Sequence, residues 1–181
     1  ISITLDLKDK YMLENFKRAV QANTSIGYDG RGCGQIAIRS DIMANELSEY
    51  GVIPRKSYQT YLPKIDDNVM CHLVRGIFDG DGSILAKPSP KKDGRNRFLH
   101  CIGFCGTHTL MKDIASYIVK NLHLQQKPSI YDYKDRSLSE LKIQNINDIK
   151  KLGDWMYNNS TIYLTRKRNV YNNFLQHYKL N

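Results

Sequence analysis

The chain has 181 residues, which is enough for one sizeable domain or for two small repeats around one core. It is 41% hydrophobic and 25% charged, and no apolar run approaches the roughly 18 residues of a membrane span, which excludes disordered and membrane classes. The 27 Lys and Arg residues against 18 Asp and Glu give a net charge of +9, which makes nucleic acid the first partner to consider.

The first part of the chain alternates strand and helix patterns. Residues 1–7 predict a short strand, and apolar positions at helical spacing within residues 8–21 predict an amphipathic helix. Polar and apolar residues then alternate over residues 35–39, as they do in a half-buried strand, and residues 41–50 predict a second helix. This half closes on a basic pair, Arg55 and Lys56.

The same order of elements returns in the second part of the chain. A strand is predicted over residues 98–105, and the apolar spacing of the first helix recurs after it with every position shifted by 98. An alternating segment at 140–144 and a helix at 147–157 follow, and Arg166 and Lys167 close this half. Two strand-helix-strand-helix units in tandem predict a molecule with pseudo-two-fold symmetry.

Residues 66–82, between the two halves, predict a capped helix that ends in a glycine-rich turn. Gly76 and Gly80 leave a bare strip where another helix could approach backbone to backbone. The helix also has apolar residues at every fourth position along one face, namely Val69, Leu73 and Ile77.

Two carboxylates, Asp79 and Asp81, fall where the dipole of this helix is already negative. Such a placement costs a few tenths to about 1 kcal/mol per charge unless a cation is bound. Carboxylate and carbonyl oxygens suit Mg²⁺, although the Asp-Gly-Asp-Gly stretch read alone is also compatible with a simple turn. A calcium-binding loop is excluded by spacing, because Ile84 replaces the required glycine and Pro90 the bidentate glutamate.

Residues 74–82, VRGIFDGDG, resemble the nine-position signature of the LAGLIDADG homing endonucleases. The repeat order of that family, motif helix, two strands, helix, two strands, helix, covers nearly the whole chain. The resemblance implies an α+β fold of two pseudo-two-fold-related αββαββα repeats with antiparallel DNA-binding sheets. The repeats would occupy residues 1–65 and 66–181 and together form one compact DNA-binding domain.

Only one signature is present in the chain. The repeat offset places its sister upstream of residue 1, so we expect the first repeat to lack its motif helix and first strand. Either the chain is truncated, which fits better, or another chain supplies the segment. With that segment present, the resemblance implies a monomer with pseudo-two-fold symmetry.

The resemblance also implies an activity, the hydrolysis of phosphodiester bonds in a long double-stranded DNA target with Mg²⁺ or Mn²⁺. Asp81 would bind the metal with the carbonyl of Gly80 as a further ligand, and Asp79 would be structural or support the metal ligands. Lys167, with Lys56 as its repeat partner, would polarise the metal-bound water or stabilise the scissile phosphate. Gly76 and Gly80 would pack the two motif helices together.

The family resemblance further implies intron or intein mobility, while the sequence leaves open an intron, an intein or a free-standing gene. The start of the chain shows no secretory pattern, and its four cysteines form no CxxC pair. We therefore expect a protein that is not secreted but works in the cytoplasm, the nucleoid or an organelle matrix.

Basic and polar residues predict a DNA-binding surface without reference to any family. Residues 86–97 carry five basic residues and one acid between two strand segments, which predicts a long hairpin tip reaching along a duplex, the alternative being a solvated basic loop. Three cations at the start of the closing helix oppose its dipole, which a bound phosphate would relieve. The predicted DNA contacts are Gln35, Arg39, Lys87, Lys91, Lys92, Arg95, Arg97, Tyr131, Tyr133, Arg136, Lys142, Gln144, Arg166 and Arg168.

Two classes of function remain open at this point. The first is a metal-dependent, site-specific endonuclease, and the second is a catalytically inactive DNA- or RNA-binding relative, such as an intron maturase or a transcription regulator. The presence of Asp81 together with Lys167 favours the enzyme, because a pure binding protein has no need for an acid at the negative end of a helix.

Overall fold

The computed structural model describes residues 1–53, 60–90, 94–134 and 137–180. It shows a mixed α+β fold with two antiparallel sheets, which confirms the predicted fold class. The chain forms two compact units, Ile1–Ile53 and Pro54–Asn181, whereas the sequence divides the repeats at residue 65, and that repeat division stays a prediction. Within the described ranges no helix has both the length and the apolarity needed to cross a bilayer.

A three-stranded sheet with two helices forms the described first unit. Its elements are β1 (Ser2–Asp6), a 3-10 turn (Leu7–Asp9), α1 (Lys10–Ala19), β2 (Gly27–Tyr28), β3 (Cys33–Ala37) and α2 (Asp41–Glu49). The strand order is β1-β3-β2. Leu13 of α1 and Ile36 of β3 are buried, and a Cβ at Gly34 would lie 3.0 Å from the Leu13 side chain. Glycine at this position therefore lets α1 lie close against β3.

A four-stranded sheet covered by helices forms the described second unit. Its elements are α3 (Asp67–Asp81), β4 (Ser83–Pro90), β5 (Asn96–Gly106), α4 (His108–Leu122), β6 (Ser129–Asp132), β7 (Ser139–Ile143), α5 (Ile146–Tyr157) and α6 (Thr165–Tyr178). The strand order is β4-β5-β7-β6, with every neighbouring pair antiparallel. The predicted motif helix, the strand at 98–105 and the helix at 147–157 correspond to α3, β5 and α5.

The register of the second sheet separates a helix-covered face from an open face. Ile102 of β5 pairs with Ile84 of β4 and with Ile143 of β7, and these side chains belong to the core beneath the helices. Successive side chains of a strand point to opposite faces. The residues between them therefore lie on the other side of the sheet, which includes Lys87 of β4 and Lys142 of β7.

Helix α3 is placed against this core by an apolar stripe of its own. Met70, Val74 and Phe78 are at most 3% exposed, and Phe78 packs against Phe104 of β5 with 5.5 Å between ring centroids. The stripe of Val69, Leu73 and Ile77 lies one position earlier and is only partly covered. A Cβ at Gly76 or Gly80 would have no described atom within 4 Å, so the bare strip of the motif helix is open here.

Candidate metal site and nucleic-acid interface

Asp81 is the last residue of α3, and its side chain is exposed. It forms no hydrogen bond or ion pair with any residue in the described part of the chain. The N–H of Gly82 donates to the carbonyl of Phe78 over 2.8 Å and closes the last turn, and β4 begins one residue later at Ser83. An uncompensated carboxylate therefore lies at the junction between the motif helix and the edge strand of the sheet.

Lys167 binds the carboxyl end of the same helix from α6. Its ammonium is buried and donates to the carbonyls of Phe78, of Asp79 over 3.0 Å and of Gly82 over 2.7 Å. The last carbonyls of a helix have no partner within it and carry its negative dipole end. An ammonium has three N–H donors. Lys167 directs them at the end of α3 and so holds the backbone on both sides of Asp81.

Asp79 points inward, away from the exposed Asp81. It is 8% exposed, and its Oδ2 accepts a hydrogen bond from the backbone N–H of Leu164 over 3.0 Å. Burial raises the pKa of Asp79, against the opposing effects of the Leu164 hydrogen bond and of the charges on Lys167 and Arg75. Asp79 thus ties α3 to the residue that precedes α6.

Arg75 makes a second connection between α3 and the segment before α6, which the sequence analysis did not identify. Its guanidinium donates to the carbonyls of Ile162 and Met156, each over 2.9 Å, and contacts Nδ1 of His72 at 2.8 Å. Burial is the main cause of the lowered pKa of Arg75. The only sequence signal for this role is an arginine inside an apolar helix, which does not name its partners.

The open face of the second sheet collects four of the predicted DNA contacts. Lys87 of β4, Arg97 of β5, Tyr131 of β6 and Lys142 of β7 share that face by register. The first three are exposed. Three of the four strands thus each place a cation on this face, and such cations neutralise DNA phosphates.

Both predicted tyrosines and Lys142 surround an acid, Glu140, on this open face. Lys142 Nζ lies 2.9 Å from Oε2 of Glu140 and 5.4 Å from the centroid of the Tyr131 ring. The Tyr133 hydroxyl donates to the same Glu140 oxygen over 2.9 Å. Accordingly, the hydrogen bond to Glu140 raises the pKa of Lys142. The structure therefore joins Tyr131, Tyr133 and Lys142 into one cluster.

The remaining predicted contacts are more scattered. In the first unit, Gln35 is exposed on β3 opposite Thr4 of β1, and Arg39 is exposed after the strand ends. In the second unit the exposed residues are Arg95, Gln144 and Arg166.

Arg168 is only partly exposed, and its guanidinium lies against two aromatic rings. The guanidinium lies 4.3 Å from the ring centroid of Tyr163 and 5.9 Å from that of Tyr157. Four further predicted site residues, Lys56, Lys91, Lys92 and Arg136, lie outside the described residues.

The donor atoms near Asp81 are few, which limits how Mg²⁺ could bind there. Among the described residues no group of three or more His, Cys, Asp or Glu side chains could hold a metal ion. Asp81 supplies one free carboxylate, and the Gly80 carbonyl is not among the three that Lys167 binds. Mg²⁺ in nucleic-acid enzymes is held by one or two carboxylates, by water and by substrate phosphates. The site therefore fits a metal whose coordination DNA completes.

Solved structures with the same fold are homing endonucleases. The I-SmaMI LAGLIDADG homing endonuclease bound to cleaved DNA aligns with a TM-score of 0.66 and 14% identity over 98% of this chain and 79% of that chain. I-SmaMI bound to uncleaved DNA in the presence of calcium ions gives 0.66 and 13% over 98% and 80%. The I-LtrWI LAGLIDADG homing endonuclease bound to target DNA gives 0.65 and 11% over 99% and 78%.

The chain therefore has the fold of the LAGLIDADG homing endonucleases, and the resemblance found in residues 74–82 is confirmed at the level of fold. No protein-family model matches the sequence, and no curated protein matches it either.

Proposed function

We propose that this protein is a site-specific homing endonuclease that binds a long double-stranded DNA target and hydrolyses its phosphodiester bonds with a divalent metal. One observation carries the proposal. Asp81 is an exposed carboxylate without a partner in the described structure, at the end of a helix that leads directly into a sheet with an open basic face. The solved structures with this fold, which were crystallised with DNA, support the same substrate.

In this proposal the Asp81 carboxylate and the Gly80 carbonyl would be the residues of this chain that hold Mg²⁺ or Mn²⁺. The metal would supply positive charge for the transition state and lower the pKa of a bound water. Lys167 contributes first by holding the carbonyls around Asp81, which fixes the position of that carboxylate. Its predicted action on the metal-bound water, and that of Lys56, stays a prediction.

DNA binding is proposed for the open sheet faces. Antiparallel strands fit the major groove, where cations meet phosphates and polar side chains meet base edges. Lys87, Arg97 and Lys142 would contact the duplex from the second sheet, and Gln35 would do so from the first, with Arg39 just beyond its strand. The protein would act inside the cell in the mobility of an intron or intein, and with the upstream motif present it would be a monomer with pseudo-two-fold symmetry.

A catalytically inactive DNA- or RNA-binding relative is the second candidate. It is supported by the open sheet face with Lys87, Arg97 and Lys142, which would bind a duplex whether or not Asp81 holds a metal. The two candidates differ in cleavage and agree in duplex binding, so an experiment must measure both.

The deciding experiment starts from duplexes that the wild-type protein enriches from a randomised library, which are then cloned into supercoiled plasmids. In Mg²⁺ we expect the wild type to nick or cut these plasmids, and Asp81→Asn to lose at least about 100-fold in rate while still binding the duplex. Asp66→Asn is the matched control, because Asp66 lies exposed at the other end of α3 without a side-chain cap bond.

Binding without any cleavage by the wild type would refute the nuclease and leave the second candidate. Cleavage by Asp81→Asn at the wild-type rate would instead remove Asp81 from the metal site.

A further inference from the structure

An acid lies in the middle of the proposed DNA-binding face. Glu140 of β7 pairs with Cys105 of β5 and with Tyr131 of β6, so its side chain lies on the open face together with that of Lys142. DNA is a polyanion, and a carboxylate that faces it lowers affinity unless it meets a hydrogen-bond donor. Glu140 would therefore weaken DNA binding unless a donor on the DNA meets its carboxylate.

The contacts of Glu140 leave one of its oxygens available. Lys142 Nζ and the Tyr133 hydroxyl both bind Oε2, each at 2.9 Å. The Glu140 side chain is 22% exposed, whereas Oε1 accepts no hydrogen bond from the residues that the structure describes. Lys142 thus compensates the charge, Tyr133 helps to fix the rotamer, and Oε1 remains a free acceptor.

Gly103 keeps the space beside this oxygen open. A Cβ at Gly103 would lie 3.5 Å from Glu140 Oε1 and 2.8 Å from Oγ of Ser83. Any other residue at this position would fill the space between Ser83 and Glu140. Because Ser83 follows Asp81 by two residues, this opening lies near the proposed metal site.

We propose that Glu140 is a specificity-determining residue that accepts a hydrogen bond from the amino group of a cytosine in the major groove. This inference rests on the proposed function, in that the open face must bind duplex DNA. Cytosine is the preferred base because its N4 amino group is a donor without an adjacent acceptor. Guanine and thymine present acceptors at the corresponding edge, and adenine places N7 beside its amino group, all of which repel a carboxylate.

The sheet geometry also limits where this base lies. β7 is two strands from β4, and neighbouring strands are about 4.8 Å apart, so Glu140 lies roughly 10 Å from the strand that follows Asp81. A duplex whose axis runs across the strands, with a rise of about 3.4 Å per base pair, would place this base about three base pairs from the phosphate nearest Asp81.

The test compares base preferences of wild type and Glu140→Gln, measured by enrichment from a randomised duplex library in Ca²⁺ so that binding is scored without cleavage. We expect the wild type to prefer cytosine at one position by about 5- to 10-fold, near the lower end for a specific base contact. Glutamine binds adenine through N6 and N7, so Glu140→Gln should move the preference at that position to adenine.

Lys87→Met is the matched control from the same face, and it should weaken binding equally at all sequences without changing any base preference. Thermal melting of each variant checks that it is folded, and Tyr133→Phe, which removes one donor to Oε2, should weaken the cytosine preference without moving it to adenine.

Unchanged base preferences in a folded Glu140→Gln, with binding altered uniformly, would overturn the role of Glu140 and leave duplex binding intact. Failure of the wild type to enrich any duplex would overturn the proposed function, and this inference with it.

Discussion

Replacing Lys167 with methionine should destabilise the second unit strongly, although the substitution removes only a few atoms. The buried ammonium donates to three carbonyls at the end of α3. A hydrogen bond to a charged group contributes roughly 1.5–3 kcal/mol, and the helix dipole adds a few tenths to about 1 kcal/mol. The three bonds share one donor group and are not additive, so we expect a loss of about 3–5 kcal/mol, similar to breaking a buried ion pair.

The loss in Lys167→Met should depend on pH through Asp79. Burial raises the pKa of Asp79 in the folded state, so its ionised form costs stability at neutral pH; this cost decreases as the pH falls below the folded pKa and is gone below the ordinary value of 3.8. The charge of Lys167 lowers that pKa, so its removal raises the pKa further. The destabilisation by Lys167→Met should therefore be larger at pH 7 than at about pH 4.5.

Urea unfolding at both pH values, followed by circular dichroism and by the fluorescence of the single tryptophan, Trp155, measures this loss. Lys150→Met is the matched control, because Lys150 makes a partly exposed ion pair with Asp154 at 2.7 Å, which is expected to contribute less than about 1 kcal/mol. Equal free energies of unfolding for the two variants would show that Lys167 does not cap α3.

Three further substitutions test contacts within the second unit. Gly153→Ala should cost at least about 1–3 kcal/mol, because a Cβ there would overlap the Tyr171 ring; in contrast, Gly76→Ala meets no described atom and should be neutral or stabilising by thermal melting. Equal melting temperatures would contradict this packing. Asp148→Ala should cost about 2–4 kcal/mol, because the fully buried carboxylate accepts the backbone N–H groups of Gln125 and Gln126 over 2.7 and 2.9 Å. Loss of amide-exchange protection at those two residues checks this, and unchanged protection would refute it.

The elements that the sequence predicted well are those whose pattern is local. The spacing of apolar residues and the polar residues at its start predict a capped helix at 66–82, and the structure has α3 at Asp67–Asp81, with no side-chain cap bond from Asp66. The alternation at 140–144 likewise corresponds to β7. Each pattern depends on residues a few positions apart, so it predicts the element without its partners, although the buried stripe of α3 lies one position later than the predicted one.

The features that were missed depend on residues far apart in the chain. Lys167 and the carbonyls of α3 are separated by more than 80 positions, and no spacing rule connects a lysine with backbone oxygens. The partners of Arg75 were missed for the same reason. Strand β2 has only two residues and carries no recognisable alternation, since a period of two needs several residues to be detected.

The interactions around α3 explain how an exposed carboxylate can keep a defined position. Asp81 itself makes no bond with the described structure, so its location depends on the backbone that carries it. Lys167 holds that backbone on either side of it, at Asp79 and at Gly82. Because Gly82 leads directly into β4, the same three bonds also set the start of the strand that carries Lys87. A change in this cap would therefore move the proposed metal ligand and the proposed DNA-binding face together.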